Sequence, residues 1–356
     1  MALPKFNFTI PVLQVIAGSS TRVHRVSPTA SVFRAAMDMI KGRINSLVVS
    51  DGSAMVGILT ERDFLKLAQE KGQSRRSEVS EIMTPASAIT TVPSSFTLQR
   101  CVDTMRTVKV RHLPVIEKGD VKAVLSMADV SKQIMSGMLQ TRSAGGDELA
   151  MNGMLQQRRE GISSLTIGDL LDDPGINTPN INDIQLTSKA SVADAVSRMR
   201  EANSGSLLVR IPGKFMPYAP QAVSPLHPVW LSPSPPVMVT LLFAKFGIFT
   251  ERDLVYEVMP FDEESPKDIK LESVARFTAG KSKAMMKAIA ENPARAYVHR
   301  PATVTCVERK TKVRDCLALM LGNGLLYVPV TENKKPVNII SMRDINHFIA
   351  PDDEVL

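Results

Sequence analysis

Four short segments of the chain set a hydroxyl residue three positions before an aspartate. They are Gly57-Ile58-Leu59-Thr60-Glu61-Arg62-Asp63, Val124-Leu125-Ser126-Met127-Ala128-Asp129, Gly247-Ile248-Phe249-Thr250-Glu251-Arg252-Asp253 and Ile339-Ile340-Ser341-Met342-Arg343-Asp344. Each runs out of an apolar strand into a helix, so Thr60, Ser126, Thr250 and Ser341 open a helix with Asp63, Asp129, Asp253 and Asp344 in its first turn. A helix N-terminus carries N–H groups without intrahelical partners and a partial positive charge, which suits phosphate. An ionised carboxylate beside it accepts hydrogen bonds from both hydroxyls of a ribose diol. Four such corners point to nucleotide binding. The same pattern is also an N-cap, worth about 1 kcal/mol of stability, and at any one corner both readings stay open. Arg62, Arg252 and Arg343, between hydroxyl and carboxylate, are expected to be solvated, with phosphate contact as the alternative.

The elements that position these corners repeat on one frame. Before each corner lies a segment with apolar residues at helical spacing: Val32, Ala35, Ala36, Met39; Leu98, Cys101, Val102, Met105; Val192, Ala195, Val196, Met199; and Val313, Cys316, Leu317, Met320. Strands are expected at Ser46–Val49, Leu113–Ile116, Ser206–Val209 and Leu326–Val330. Val32 to Thr60, Leu98 to Ser126 and Val313 to Ser341 are each 28 positions, but Val192 to Thr250 is 58. The excess lies between Val209 and Phe246, where eight prolines from Pro212 to Pro236 accompany Trp230, the only tryptophan. Such proline density opposes helix and central strand, and the stretch is expected to be a disordered insertion or translated intronic sequence, with a functional lid as the alternative. Lys281 to Ala290 is expected to form a basic surface helix, and 137–163 an inter-module linker with some helix around Glu148–Arg159.

Composition excludes several classes. With 356 residues, 44% apolar and 22% charged, the chain is globular and has room for two domains. No apolar run approaches the roughly 20 residues of a membrane span, so no membrane partner is expected. Cys101, Cys306 and Cys316 show no metal spacing and suit a reducing compartment. The five histidines form no metal pattern, and no Gly-x-Ser-x-Gly or P-loop occurs, so no metal, catalytic residue or enzyme activity is expected. The net charge of +7 comes with only 5% aromatics and no basic-aromatic platform, which argues against nucleic acid. Residues 1–37 contain no acidic residue, but Arg22 to Met37 already belongs to the first repeat. An intracellular, cytoplasmic setting is expected, with mitochondrial import as the alternative.

A helix, two strands, then Gly-hydrophobic-hydrophobic-Thr/Ser-x-x-Asp entering a helix resembles the cystathionine-β-synthase-type (CBS) domain. Met83-Thr84-Pro85 and Arg111-His112-Leu113-Pro114-Val115 belong to the same resemblance, which covers nearly the whole chain. It implies an α/β fold of α+β type, each repeat a small mixed sheet with flanking helices, two repeats pairing through their sheets into a Bateman module. Module 1 would span 10–136, with repeats at about 10–70 and 78–136. Module 2 would span 164–350, with repeats at about 164–258 and 272–350 and the insertion at 211–244. Each module would offer clefts for AMP, ADP, ATP or S-adenosylmethionine as a regulatory ligand, accompanied by Mg where phosphates require it. No other cofactor is implied. Occupancy would be transmitted to a second copy or a target enzyme; a ligand-free interaction scaffold is the alternative.

Carried over by position, Asp63, Asp129, Asp253 and Asp344 match the ribose-binding carboxylate, and Thr60, Ser126, Thr250 and Ser341 the hydroxyl near phosphate. Arg111 and His112 match basic positions that reach phosphate, His112 being a surface residue on the simpler reading. The equivalents of that pair are Asn45-Ser46, Gly205-Ser206 and Leu326-Tyr327, so the sites should be unequal. One or two occupied sites are expected, in the first module, with repeat three compromised by the insertion.

Overall fold

A computed structural model describes residues 10–17, 23–52, 54–67, 76–139, 164–211, 246–259, 269–277, 304–333 and 335–349. The four amphipathic segments form the helices Val32–Gly42, Leu98–Thr107, Val192–Glu201 and Val313–Gly322, and each buries its four apolar positions as the spacing predicts. Ser31, Thr97 and Ser191 cap the first three by accepting the N–H of the residue three places on, whereas Lys312 precedes the fourth without a side-chain cap.

Each repeat builds its sheet the same way. In repeat 1, β1 (Arg25–Val26) lies parallel to β2 (Ser46–Asp51), which pairs antiparallel with β3 (Ala54–Thr60), and β4 (Thr84–Pro85) adds to the far edge. Repeat 2 follows with β5 (Val92–Pro93), β6 (His112–Glu117) and β7 (Asp120–Ser126). Repeat 3 has β8 (Gln185–Thr187), β9 (Ser206–Arg210), β10 (Phe246–Thr250) and β11 (Arg276–Phe277). Repeat 4 has β12 (Val307–Glu308), β13 (Tyr327–Glu332) and β14 (Lys335–Ser341). The register is common to all four: Ser46 faces Thr60, His112 faces Ser126, Ser206 faces Thr250 and Tyr327 faces Ser341. The strands run one or two residues beyond the apolar runs because the hairpins continue into polar turns. Repeats 1, 2 and 4 share a bulge after Val49, Val115 and Val330, which the described part of repeat 3 does not have.

The leading segment of every repeat crosses to the other repeat of its half. Val12 donates to the Phe96 carbonyl at 2.9 Å and Leu98 to Ile10 at 2.8 Å, so the helix Val12–Ala17 docks on repeat 2. Val32 donates to Ser77 at 2.8 Å and Val79 to Ala30 at 2.9 Å, fixing the helix Val79–Ile82 on repeat 1. The second half repeats the exchange through Ile167 and Val313, and through Val192 and Leu271.

The apolar cores do not follow the two halves. One cluster joins repeats 1 and 3 through residues such as Leu47, Phe64, Leu207 and Phe249; the other joins repeats 2 and 4 through Leu113, Ile134, Val328 and Ile345. Ser131 Oγ and Asn346 Oδ1, 2.8 Å apart, and Asn346 Nδ2 donating to the Met127 carbonyl at 2.9 Å, lie fully buried in the second contact. The helix Met127–Leu139 runs three residues into the expected linker. The rest of that linker, the basic stretch 281–290 and the insertion beyond Ile211 lie outside the described residues.

Candidate functional site

All four corners fold as reciprocal caps. Asp63 Oδ2 accepts the Thr60 N–H at 2.8 Å and its hydroxyl at 2.9 Å; Asp129 accepts from Ser126 at 3.0 and 2.6 Å. Asp253 accepts from Thr250 at 2.7 and 2.6 Å, and Asp344 from Ser341 at 2.8 and 2.7 Å. Capping is therefore realised at every corner and consumes Oδ2. What surrounds the other oxygen separates the corners. Asp63 Oδ1 accepts from Lys66 Nζ at 2.9 Å and Thr84 Oγ1 at 3.2 Å. Thr250, Glu251 and Asp253 are buried almost completely. Burial pushes the Asp344 carboxyl above its ordinary value, against the pull of its bonds from Ser341.

Asp129 differs in lining, together with Ser126, a cleft of about 420 Å³, within the roughly 300–1,000 Å³ of small-molecule sites. Lys132 Nζ, one helical turn on, stands 3.4 Å from Asp129 Oδ1. Across the cleft lies the start of β2 in repeat 1, with Ile44, Asn45 and Ser46, and beside it His24 and Arg43. Arg43 adopts a left-handed backbone conformation, φ 51°, as it ends the helix Val32–Gly42, and its N–H closes on the Ile40 carbonyl at 3.2 Å. The second half supplies Arg252 and the turn at Gly324 that follows the helix Val313–Gly322. Apolar walls, a ribose-competent carboxylate and several cations thus meet in one place.

Arg111 and His112 do not line this cleft but an adjoining space, which shares Asn45, Ala128, Leu326 and Met342 with it and also takes in Ser341. They line a small inner chamber with Glu61, Tyr327 and Arg343. Arg111 donates to Glu251 Oε2 at 2.5 Å and to the Tyr327 hydroxyl, and Glu251 raises its pKa against the effect of burial. The His112 imidazole is neutral: burial, then Arg111 and Arg252, lower its pKa to about 3. Its Nε2 is buried without a hydrogen-bond partner among the described residues. Tyr327 comes this close because repeat 3 has Gly205 opposite it.

The expectation of a solvated arginine is corrected at Arg252, which is largely buried, whereas Arg62 makes contacts across the repeats and stays partly exposed. Arg252 Nε donates to Glu61 Oε1 at 2.7 Å, and Arg62 Nη1 stands 3.8 Å from Glu251 Oε1 while Nη2 bonds Asn203. Repeats 1 and 3 are thus clasped by reciprocal ion pairs, both glutamates being buried. The sequence carried a sign of this: Thr-Glu-Arg-Asp occurs only in repeats 1 and 3, and Met127 and Met342 replace the glutamates in repeats 2 and 4. Of the charged and imidazole residues in the cleft, Arg252 had phosphate contact as its alternative reading, whereas His24, Arg43 and Lys132 were not foreseen, although Lys66 and Lys132 stand at the same distance from their aspartates.

The CBS domain family model matches residues 16–70, 79–136 and 296–351, which overlap repeats 1, 2 and 4. The chain belongs to the CBS-domain family. The third repeat, outside those matches, shares the strand pairing and corner of the other three. CBS domain-containing protein CBSCBSPB1 of Arabidopsis thaliana is 30% identical over 336 residues, covering 90% of this chain and 50% of that protein. The mitochondrial CBSX3 of Arabidopsis thaliana is 30% identical over 109 residues, covering 30% of this chain and 53% of that protein. The chain thus spans about half the length of each. Protein MJ1225 of Methanocaldococcus jannaschii has the same fold, with a TM-score of 0.61 at 15% identity, over 96% of this chain and 100% of that one. Among the described residues, no helix is long and apolar enough to cross a membrane and no cluster of His, Cys, Asp or Glu could hold a metal ion.

Proposed function

We propose that this CBS-domain protein binds an adenine nucleotide in the cleft at Asp129 and passes the state of that site to a partner, acting as a regulatory component rather than an enzyme. The observation that carries this reading is the cleft itself. Asp129 Oδ1, held only by a 3.4 Å contact from Lys132 Nζ, would accept a ribose hydroxyl, while Arg43 and a released Lys132 would supply charge for phosphate. Ile44, Val48 and Leu326 offer apolar surface for a base. AMP, ADP, ATP and S-adenosylmethionine are the ligands the family resemblance implies, with Mg accompanying the longer phosphate chains. The corners at Thr60 and Asp63, Thr250 and Asp253, and Ser341 and Asp344 are lesser sites in this reading, since none of them lines the cleft that Ser126 and Asp129 line. Arg111 and His112, expected to reach phosphate, are not contacts in this reading, because Arg111 is held by Glu251 and Tyr327 and neither residue lines the cleft. Binding shifts a partner only if the ligand favours one arrangement of the repeats over another.

The capping bonds at all four corners favour a second reading, a ligand-free scaffold. Calorimetry with the four ligands, with and without Mg, separates the two. Saturable binding that Asp129→Ala weakens about tenfold or more, in a chain that still melts cooperatively, is expected; Asp63→Ala should leave it nearly unchanged. A folded wild-type chain that binds none of the four would establish the scaffold instead.

A further inference from the structure

The cleft at Asp129 is completed by the half of the chain that does not carry it. Arg252, from repeat 3, stands in its wall. The same guanidinium donates to Glu61 Oε1 of repeat 1 at 2.7 Å and to the Gly324 carbonyl of repeat 4 at 2.5 Å. One side chain therefore joins three repeats at the site of the fourth. An arginine has five N–H donors but a single positive charge, so an oxyanion that takes its remaining donors draws on the charge that now pairs with Glu61. Arg43, Lys132 and Arg252 line the cleft, Lys132 paired with Asp129 and Arg252 with Glu61, so that three cations meet two carboxylates and the lining is net positive. Such a field draws in a phosphate and opposes a sulfonium or other cationic ligand.

We infer that Arg252 reads the ligand's phosphate, that the ligand is a nucleoside phosphate rather than a nucleoside or a sulfonium nucleoside, and that phosphate and Glu61 compete for this guanidinium. The inference rests on the nucleotide reading given above and adds to it a specificity residue and a route of coupling. Phosphate drawing on Arg252 weakens the Arg252–Glu61 pair, one of the two ion pairs that clasp repeat 1 to repeat 3. Reciprocity then requires that weakening the pair strengthens phosphate binding.

Calorimetry of the full chain with AMP, adenosine and S-adenosylmethionine tests this. The wild type should prefer AMP to adenosine by about tenfold or more, as expected for charge-assisted hydrogen bonds. Arg252→Gln should abolish most of that preference while leaving adenosine affinity nearly unchanged, and Arg252→Lys should keep part of it. Glu61→Gln should tighten AMP about threefold but not adenosine, and should have no effect once Arg252 is Gln. An AMP-to-adenosine ratio that survives Arg252→Gln overturns the role of Arg252 while leaving the nucleotide reading standing. Absence of binding to all three by the folded wild type overturns that reading and the inference with it. Should Arg252→Gln fail to fold, Glu61→Gln alone decides, because an equal shift for AMP and adenosine overturns the competition.

Discussion

Gly205 shows how one atom governs the centre of this protein. A Cβ at that position would lie 1.8 Å from the Tyr327 hydroxyl, 2.6 Å from Cζ of its ring and 2.9 Å from Cδ of Glu251. The missing side chain lets Tyr327 cross from repeat 4 and reach Arg111 and Glu251. Gly205→Ala should therefore destabilise the chain by about 1–3 kcal/mol, the usual cost of overpacking a filled interior. Adding Tyr327→Leu should return part of the loss, and urea midpoints of the three variants against wild type measure it. Strictly additive effects would show that the two residues do not meet. The glycine stood out in the sequence, because the equivalent positions are Asn45, Arg111 and Leu326. The tyrosine that fills its space did not, since residues 122 positions apart share no local period (Gly205, Tyr327). For the same reason the capping bonds were legible and the glutamate partners of Arg62 and Arg252 were not.

At the scale of elements, the common register explains how repeat 3 accommodates its extra residues. Arg210 pairs with Phe246 at the open end of the β9–β10 ladder, with no shift from there to Ser206 and Thr250. Paired residues in an antiparallel ladder stand about 5 Å apart, a gap that a two-residue turn closes. Replacing residues 211–245 with Asn-Gly should thus preserve the fold, with a melting temperature within about 5 °C of wild type. It should also preserve nucleotide affinity, because the Asp129 cleft draws its repeat 3 contribution from Arg252. Unfolding of the shortened chain would show that the excised residues stabilise β10. Helices, hairpins and corners were legible because each is set by its own run of residues: apolar spacing for the helix, alternation for the strands, hydroxyl and aspartate for the cap. The exchanged leading segments were not, because short helices such as Val79–Ile82 owe their position to the neighbouring repeat rather than to their own propensity.

On the scale of the whole molecule, the two halves of the chain are interleaved rather than set side by side. One apolar core is centred on repeats 1 and 3 and the other on repeats 2 and 4, each completed by segments of the remaining repeats, and reciprocal pairs join Glu61 and Glu251 to Arg252 and Arg62. That packing has a consequence for acid stability. Burial, then Arg111 and Arg252, lower the His112 pKa to about 3, and burial, then Arg343 and Arg106, lower that of His347 to about 4. Both values lie below the ordinary 6.5 or so of an unfolded histidine. The unfolded chain therefore binds these protons first, so their contribution to stability is complete above about pH 6.5 and is lost as pH falls towards 4 and 3. Asp344 works in the opposite direction, since its raised pKa lets the folded chain take up a proton early. From pH 6.5 to 5 the two histidines should still cost the wild type on the order of 3 kcal/mol. Urea unfolding across that range should show the slope flattening in the His112→Gln/His347→Gln double variant. Equal slopes for variant and wild type would mean that the folded chain protonates these rings as readily as the unfolded one does, and that the four arginines around them do not set the acid limit of the fold.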